Sequence, residues 1–184
     1  MKKLIVMASL IASASLAHGQ GYVIFANTTQ DLSVEKKIVD VVAGQYLDST
    51  YVAQLFAGVQ NTIESALTAH DSSVTFLDSP PESLGLFLGN TVAITGVASG
   101  ATATLQVRVW PTLYLTWNDA VIAHQANPSS VRLGKSALFD VTLGTVGAPT
   151  EMAPLMPLFT IAEPGALCLS ALGFGLIFLR RISA

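Results

Sequence analysis

Cysteine and charge are both scarce in this sequence. It holds one cysteine, Cys168, and only 11% charged residues. A single cysteine excludes an intramolecular disulfide and any multi-cysteine metal centre. The stretch ahead of Cys168 has no thiol to mispair, which is compatible with an oxidising compartment. A soluble domain ordinarily carries about a quarter charged residues, so a 51% hydrophobic chain with mean hydropathy +0.56 must place its excess somewhere. Residues 4–17 and 165–179 are nearly uninterrupted apolar runs. Between them, in residues 20–162, five basic residues (Lys36, Lys37, Arg108, Arg132, Lys135) stand against eleven acidic ones, a net −6 where the 184-residue chain as a whole carries −3. No Lys/Arg cluster offsets that sign, and such a domain repels phosphate backbones, which argues against a nucleic-acid partner. No serine lies in Gly-x-Ser-x-Gly, so an elbow-type hydrolase has no support.

The N-terminal run follows Met1-Lys2-Lys3 and extends from Leu4 to Leu16. A positive start, an apolar stretch of this length and small residues after it predict a secretory signal over 1–19, removed by signal peptidase. Ala17-His18-Gly19 suits cleavage before Gln20, and Ser15-Leu16-Ala17 suits cleavage before His18. The run is short of the ~20 apolar residues that span a bilayer.

At the other end, Ala162-Glu163-Pro164 leads into the apolar run 165–179, and Arg180-Arg181 follows at once. Pro164 separates an extended stretch from a helix start. The run can satisfy its own backbone as a helix in lipid, and the two arginines stay cytoplasmic by the positive-inside rule, leaving Glu163-Pro164 on the outer face. This tripartite order resembles the PEP-CTERM sorting signal of exported bacterial proteins, although Ala162 stands where the family motif has its first proline. The resemblance implies an exosortase-like sorting protease as partner, acting on Ala162-Glu163-Pro164 with Arg180 and Arg181 as the basic flank. It further implies an inner-membrane-anchored precursor whose ectodomain then belongs to the envelope, the surface or the medium. A tail anchor that is never cleaved is the alternative.

From Gln20 to Gly147 the residues favour strands. Tyr22–Asn27 and Lys37–Val42 are short apolar runs, and Thr91–Thr95 is a third, linked by the turn-rich Gly96–Gly100 to the clearest strand. In that strand Ala103, Leu105, Val107 and Val109 alternate with Thr104, Gln106 and Arg108. Ser136–Leu143 places Phe139, Val141 and Leu143 on a core side. Tyr51–Ala57 reads as a strand ended by Gly58, yet Val52, Leu55, Phe56, Val59, Ile63, Ala66 and Leu67 also share a helical face. A short helix is therefore expected over 61–69, and a second over Trp117–Gln125. Residues 148–161, with three prolines, read as a linker that ends in a strand near Leu158–Ile161. Ala53–Gly58, Gly100–Trp110 and Gly134–Gly144 are similar to ectodomains that precede PEP-CTERM tails. The expected fold is mainly β, an Ig-like or jelly-roll-like sandwich burying alternate residues, plus one C-terminal transmembrane helix over 165–179 within a tail of 162–184.

Candidate chemistry is thin. Gly134-Lys135-Ser136 ends like a phosphate-binding loop, but Ser129 occupies the position of the earlier glycine and a strand follows. His70-Asp71 could form an acid–base pair, and His124 stands alone. Asp71, Asp78 and Glu82 are too sparse for the regular oxygen ligands calcium takes. Trp110, Tyr114 and Trp117 form the most distinctive cluster, since aromatic rings beside a loop can stack on sugars; a cell-surface polysaccharide is the partner they suggest. Core packing is the competing use of the same rings. No metal, no cofactor and no enzymatic activity is expected. The leading expectation is an exported envelope or extracellular-matrix protein, with a carbohydrate-binding module as the first rival and a secreted hydrolase as the second.

Overall fold

A computed structural model describes residues 19–161. The expected sorting motif, the apolar run 165–179 with its expected transmembrane helix, and all but the last residue of the expected signal over 1–19 lie outside the described residues. Among the described residues no helix is long and apolar enough to cross a membrane.

Among the described residues eleven strands and one α-helix follow one another: β1 (Gln20–Ala26), β2 (Val39–Asp40), β3 (Gln45–Tyr46), β4 (Tyr51–Val59), β5 (Thr68–Thr75), β6 (Leu88–Ala98), β7 (Thr102–Pro111), α1 (Trp117–Ala126), β8 (Gly134–Lys135), β9 (Phe139–Thr142), β10 (Thr150–Glu151) and β11 (Thr160–Ile161). They form three sheets, in the orders β10-β1-β6, β11-β2-β3 and β5-β4-β7-β8. On β7, β9 pairs with Thr102–Leu105 and β8 with Arg108–Val109, so the two share the side opposite β4. The architecture is mainly β and consistent with a β-sandwich.

The core explains the layering. Val23 and Phe25 of β1 and Ile94 of β6 belong to one buried cluster with Leu55 of β4 and Leu105 and Val107 of β7. A strand presents alternate residues to one face, so the inward rows of the two larger sheets meet. Gly100, near φ +80°, lets the chain turn from β6 in one sheet to β7 in another, while Gly96, also near φ +80°, sits where the β1–β6 register shifts. The buried Asn27 donates to the carbonyls of Lys36 and Gly85 and accepts from the Phe87 amide, which satisfies it while tying the β1–β2 and β5–β6 connections together.

β7 departs from its expected two-faced character. Its apolar row is fully buried as read, but Thr104 and Gln106 are buried too. The turn after β4 folds over them: the Asn61 amide donates to Thr104 Oγ1 at 2.9 Å, and Arg108 Nη2 donates to the Glu64 carbonyl at 3.2 Å.

That turn replaces the helix expected over 61–69. Asn61 sits at φ +66°, a left-handed conformation that interrupts a right-handed helix. Only a 3-10 turn, Glu64–Ala66, forms before β5 begins. Of the supposed helical face, Leu67 is buried while Ile63 is exposed. The helix expected at Trp117 does form. Its start is fixed by a capping box in which Thr116 Oγ1 accepts from the Asp119 amide and Asp119 Oδ2 accepts from the Thr116 amide. The strand expected over Lys37–Val42 shortens to Val39–Asp40, because the Asp40 carboxylate accepts the Val42 and Ala43 amides and turns the chain.

Residues 148–161 begin as a strand where a linker was expected. β10 pairs in parallel with β1, β11 pairs in parallel with β2, and Met152, Met156 and Ile161 are core residues.

Candidate functional site

Trp110 lies on the face of β7 opposite its inward row, in a second, smaller buried cluster, and the adjoining loop folds back so that its Nε1 donates to the Tyr114 carbonyl at 3.0 Å. Val52 and Ala120 enclose the ring, with Tyr114, Trp117 and Leu133 packed around them. Trp117 meets Trp110 edge to face, centroids 6.0 Å apart, a favoured geometry for aromatic pairs. The three rings are thus brought together, but they do not share one open face. Trp110 is fully enclosed and offers nothing to a sugar, while Tyr114 and Trp117 are half-buried.

Arg108 stands on the face of β7 opposite its apolar row, across the Phe56 ring, 3.9 Å from the centroid, with the Trp117 ring 5.5 Å away. Its Nε donates to Gln106 Oε1 at 2.8 Å. Burial pulls its pKa below the ordinary guanidinium value, opposed by Glu64. A cation over an aromatic face with its donors used locally is a packing element. An open cleft of about 490 Å³ runs beside it, lined by Ile63, Glu64, Ser65 and Leu67.

The Gly134-Lys135-Ser136 sequence is fully occupied by the fold. Gly134 packs so tightly on β11 that a methyl on its Cα would stand 2.3 Å from Ile161 Cγ2. Lys135 Nζ pairs with Glu64 Oε1 at 2.5 Å, which is the main reason the Glu64 carboxyl lies below its ordinary range. The Ser136 amide donates to the Val107 carbonyl at 2.9 Å, and its hydroxyl accepts the Val107 amide at 3.0 Å. One side chain therefore patches the sheet ladder between β8 and β9.

His70 and Asp71 do not form a pair. His70 is buried on β5 with Nε2 3.2 Å from Thr68 Oγ1, and burial lowers its pKa against hydrogen bonding to the Ala93 and Ala57 backbone. Asp71, at φ +57°, is exposed and accepts from the Ser72 amide. His124 Nδ1 contacts the Val131 carbonyl at the far end of α1. Hydrogen bonding from the Ser49 side chain, and then from its amide at 2.7 Å, holds the Asp78 carboxyl below its ordinary range, while Glu82 is exposed on a turn. Among the described residues no three acidic, histidine or cysteine side chains are grouped to hold a metal ion.

A feature that sequence reasoning missed lies where the described chain stops. Ile161 is buried, and its carbonyl accepts the Val41 amide at 3.1 Å. The turn bearing Val41 is held by Asp40, buried and ion-paired through Oδ2 to Arg132 Nη1. An aspartate followed by Val-Val-Ala-Gly was the available signal, since a carboxylate two residues before free amides favours a local turn over a continuing strand. No protein-family model, no curated protein and no solved structure matches the chain.

Proposed function

We propose that this chain is an exported envelope or extracellular-matrix protein, whose Ig-like or jelly-roll-like β-sandwich is presented outside the inner membrane by a PEP-CTERM-like tail. One observation carries the reading. Ile161 is buried and its strand pairs with β2, and in the sequence the run Ala162-Glu163-Pro164, apolar 165–179, Arg180-Arg181 follows it directly. In this reading signal peptidase trims the front, the apolar run holds the precursor in the membrane, and an exosortase-like protease acts at Glu163-Pro164. The polysaccharide reading is left with two half-buried rings, Tyr114 and Trp117.

Intact-mass analysis of the protein from its native envelope tests the proposal. Termini near Gln20 (or His18) and near Glu163 are expected; an intact tail in a membrane fraction would leave a plain anchor. Deleting 165–184 is expected to release a folded domain from membranes. If the truncated protein still sediments with membranes, the anchoring role of the tail is refuted.

A further inference from the structure

Two exposed apolar loops leave the same end of the domain as the chain itself. The first is the Asp40 turn, where Val41 and Val42 are 51% and 49% exposed. No charged residue occurs from Val41 to Leu47, and Tyr46 is exposed beside them. The second is the loop between β7 and α1, where Leu113 and Leu115 are 82% and 89% exposed. It too carries no charge from Val109 to Asn118.

Their shared location follows from the register. Val109 pairs with Gly134, and Gly134 is in contact with Ile161. Two residues further on, Pro111 pairs with Tyr51, which lies within electrostatic reach of Asp40 and Arg132. The valine turn is tied to the Ile161 carbonyl, and the leucine loop departs from Pro111 beside it. The hairpin-like link at Gly100 and Ala101 sits at the start of β7, some 30 Å away at ~3.3 Å per residue.

Lone exposed aliphatic residues are ordinary, but the length of chain beyond Ile161 gives these two loops an occupant. Three residues separate Ile161 from the apolar run. Four Cα steps reach at most about 14 Å, whereas the polar layer on each side of the hydrocarbon is itself about 5–8 Å thick. On the anchoring reading, a fifteen-residue helix over 165–179 would cover only about 22 Å, less than the ~30 Å hydrocarbon core, and that mismatch would draw the domain inward.

We infer that this end of the domain rests on the outer lipid surface of the membrane, with Val41, Val42, Leu113 and Leu115 in the headgroup boundary. The inference rests on the anchoring reading above. Apolar side chains buried there add affinity in proportion to their area, and an exposed tyrosine suits the same layer. The contact orients the domain and holds the Ala162-Glu163-Pro164 segment against the bilayer while the tail is attached.

Site-directed fluorescence on the full chain in vesicles of phosphatidylethanolamine and phosphatidylglycerol tests this. Cys168→Ser removes the single thiol, and Val42→Cys, Leu115→Cys and Ala101→Cys then each accept an environment-sensitive dye. Blue-shifted emission and quenching by headgroup nitroxides are expected at positions 42 and 115, severalfold above position 101. If the protein floats with the vesicles but all three dyes behave alike, the surface contact is wrong and the anchor stands. If the protein does not float with vesicles, the anchoring reading itself fails, and this contact with it. A blue shift that persists without lipid and grows with protein concentration would assign the patch to a second copy and overturn the inference.

Discussion

Replacing Asp40 by alanine should cost this domain about 2–4 kcal/mol. The carboxylate is buried, accepts two turn amides at 3.0 Å each, and pairs with Arg132. Breaking a buried ion pair from one side costs ~3–5 kcal/mol, but the arginine side chain here is 28% exposed, so water recovers part of that. The two amides lie in an exposed turn and also regain water, which keeps their share near the ~0.5–1.5 kcal/mol of an ordinary net hydrogen bond. A domain of this size is stable by roughly 7–15 kcal/mol, so the loss is a large fraction of it. Urea unfolding of the isolated domain, residues 20–161, reads it as a fall in the midpoint at constant slope. A thermal scan should show a Tm lower by about 5–15 °C, at ~2–4 °C per kcal/mol. Combining Asp40→Ala with Arg132→Ala should give clear non-additivity, above ~0.5 kcal/mol. An Asp40→Ala cost below about 1 kcal/mol, or strict additivity of the pair, would refute the clamp and the ordered turn built on it.

Three further outcomes follow from the same geometry. Gly134→Ala should destabilise by about 1–3 kcal/mol, because the added methyl overlaps Ile161; increased proteolysis near residue 160 would report the displaced strand, and unchanged resistance would contradict it. Ser136→Ala should cost about 1–3 kcal/mol by stranding the buried Val107 amide, with faster hydrogen exchange at Val107 as its signature. His70 has a folded-state pKa below its unfolded value of ~6.5, so the fold prefers the neutral ring. Its contribution is complete above pH ~6.5 and is lost as pH falls below that toward the folded value. The wild type should therefore lose stability between pH 6.5 and 5 more steeply than His70→Gln, and parallel curves would sink the assignment.

Legibility varied with how far each residue's partner lies along the chain. Alternation in Ala103–Val109, and Phe139, Val141 and Leu143 in the late strand, marked core rows that the fold uses, since a period of two is a local signal. The helix at Trp117 was equally readable, and Thr116-x-x-Asp119 would have placed its start. β5 was not readable: Thr68-Ala69-His70-Asp71-Ser72-Ser73-Val74-Thr75 has little apolar alternation, because it is an edge strand held by the β4 backbone. The prolines at 149, 154 and 157 suggested a linker over a segment whose strands are two residues long and depend on partners more than a hundred positions earlier. Trp110 was rightly singled out as unusual, but the sequence carried no sign that the following loop would fold back and cover it.

The two parallel pairings at the end of the chain set the order in which the domain can be finished. On its β10 side β1 is held only by the Tyr22–Gly144 bridge until residues 150–151 are present, and β2 lacks its β11 partner until residues 160–161 are. Such distant pairings close slowly, and the bare strand edges stay open to wrong partners meanwhile. A polypeptide that enters a compartment front end first must therefore keep its first strands waiting for its last. On the proposed reading, the segment that completes these two pairings is also the one that would bear any pull from a tail held in a membrane.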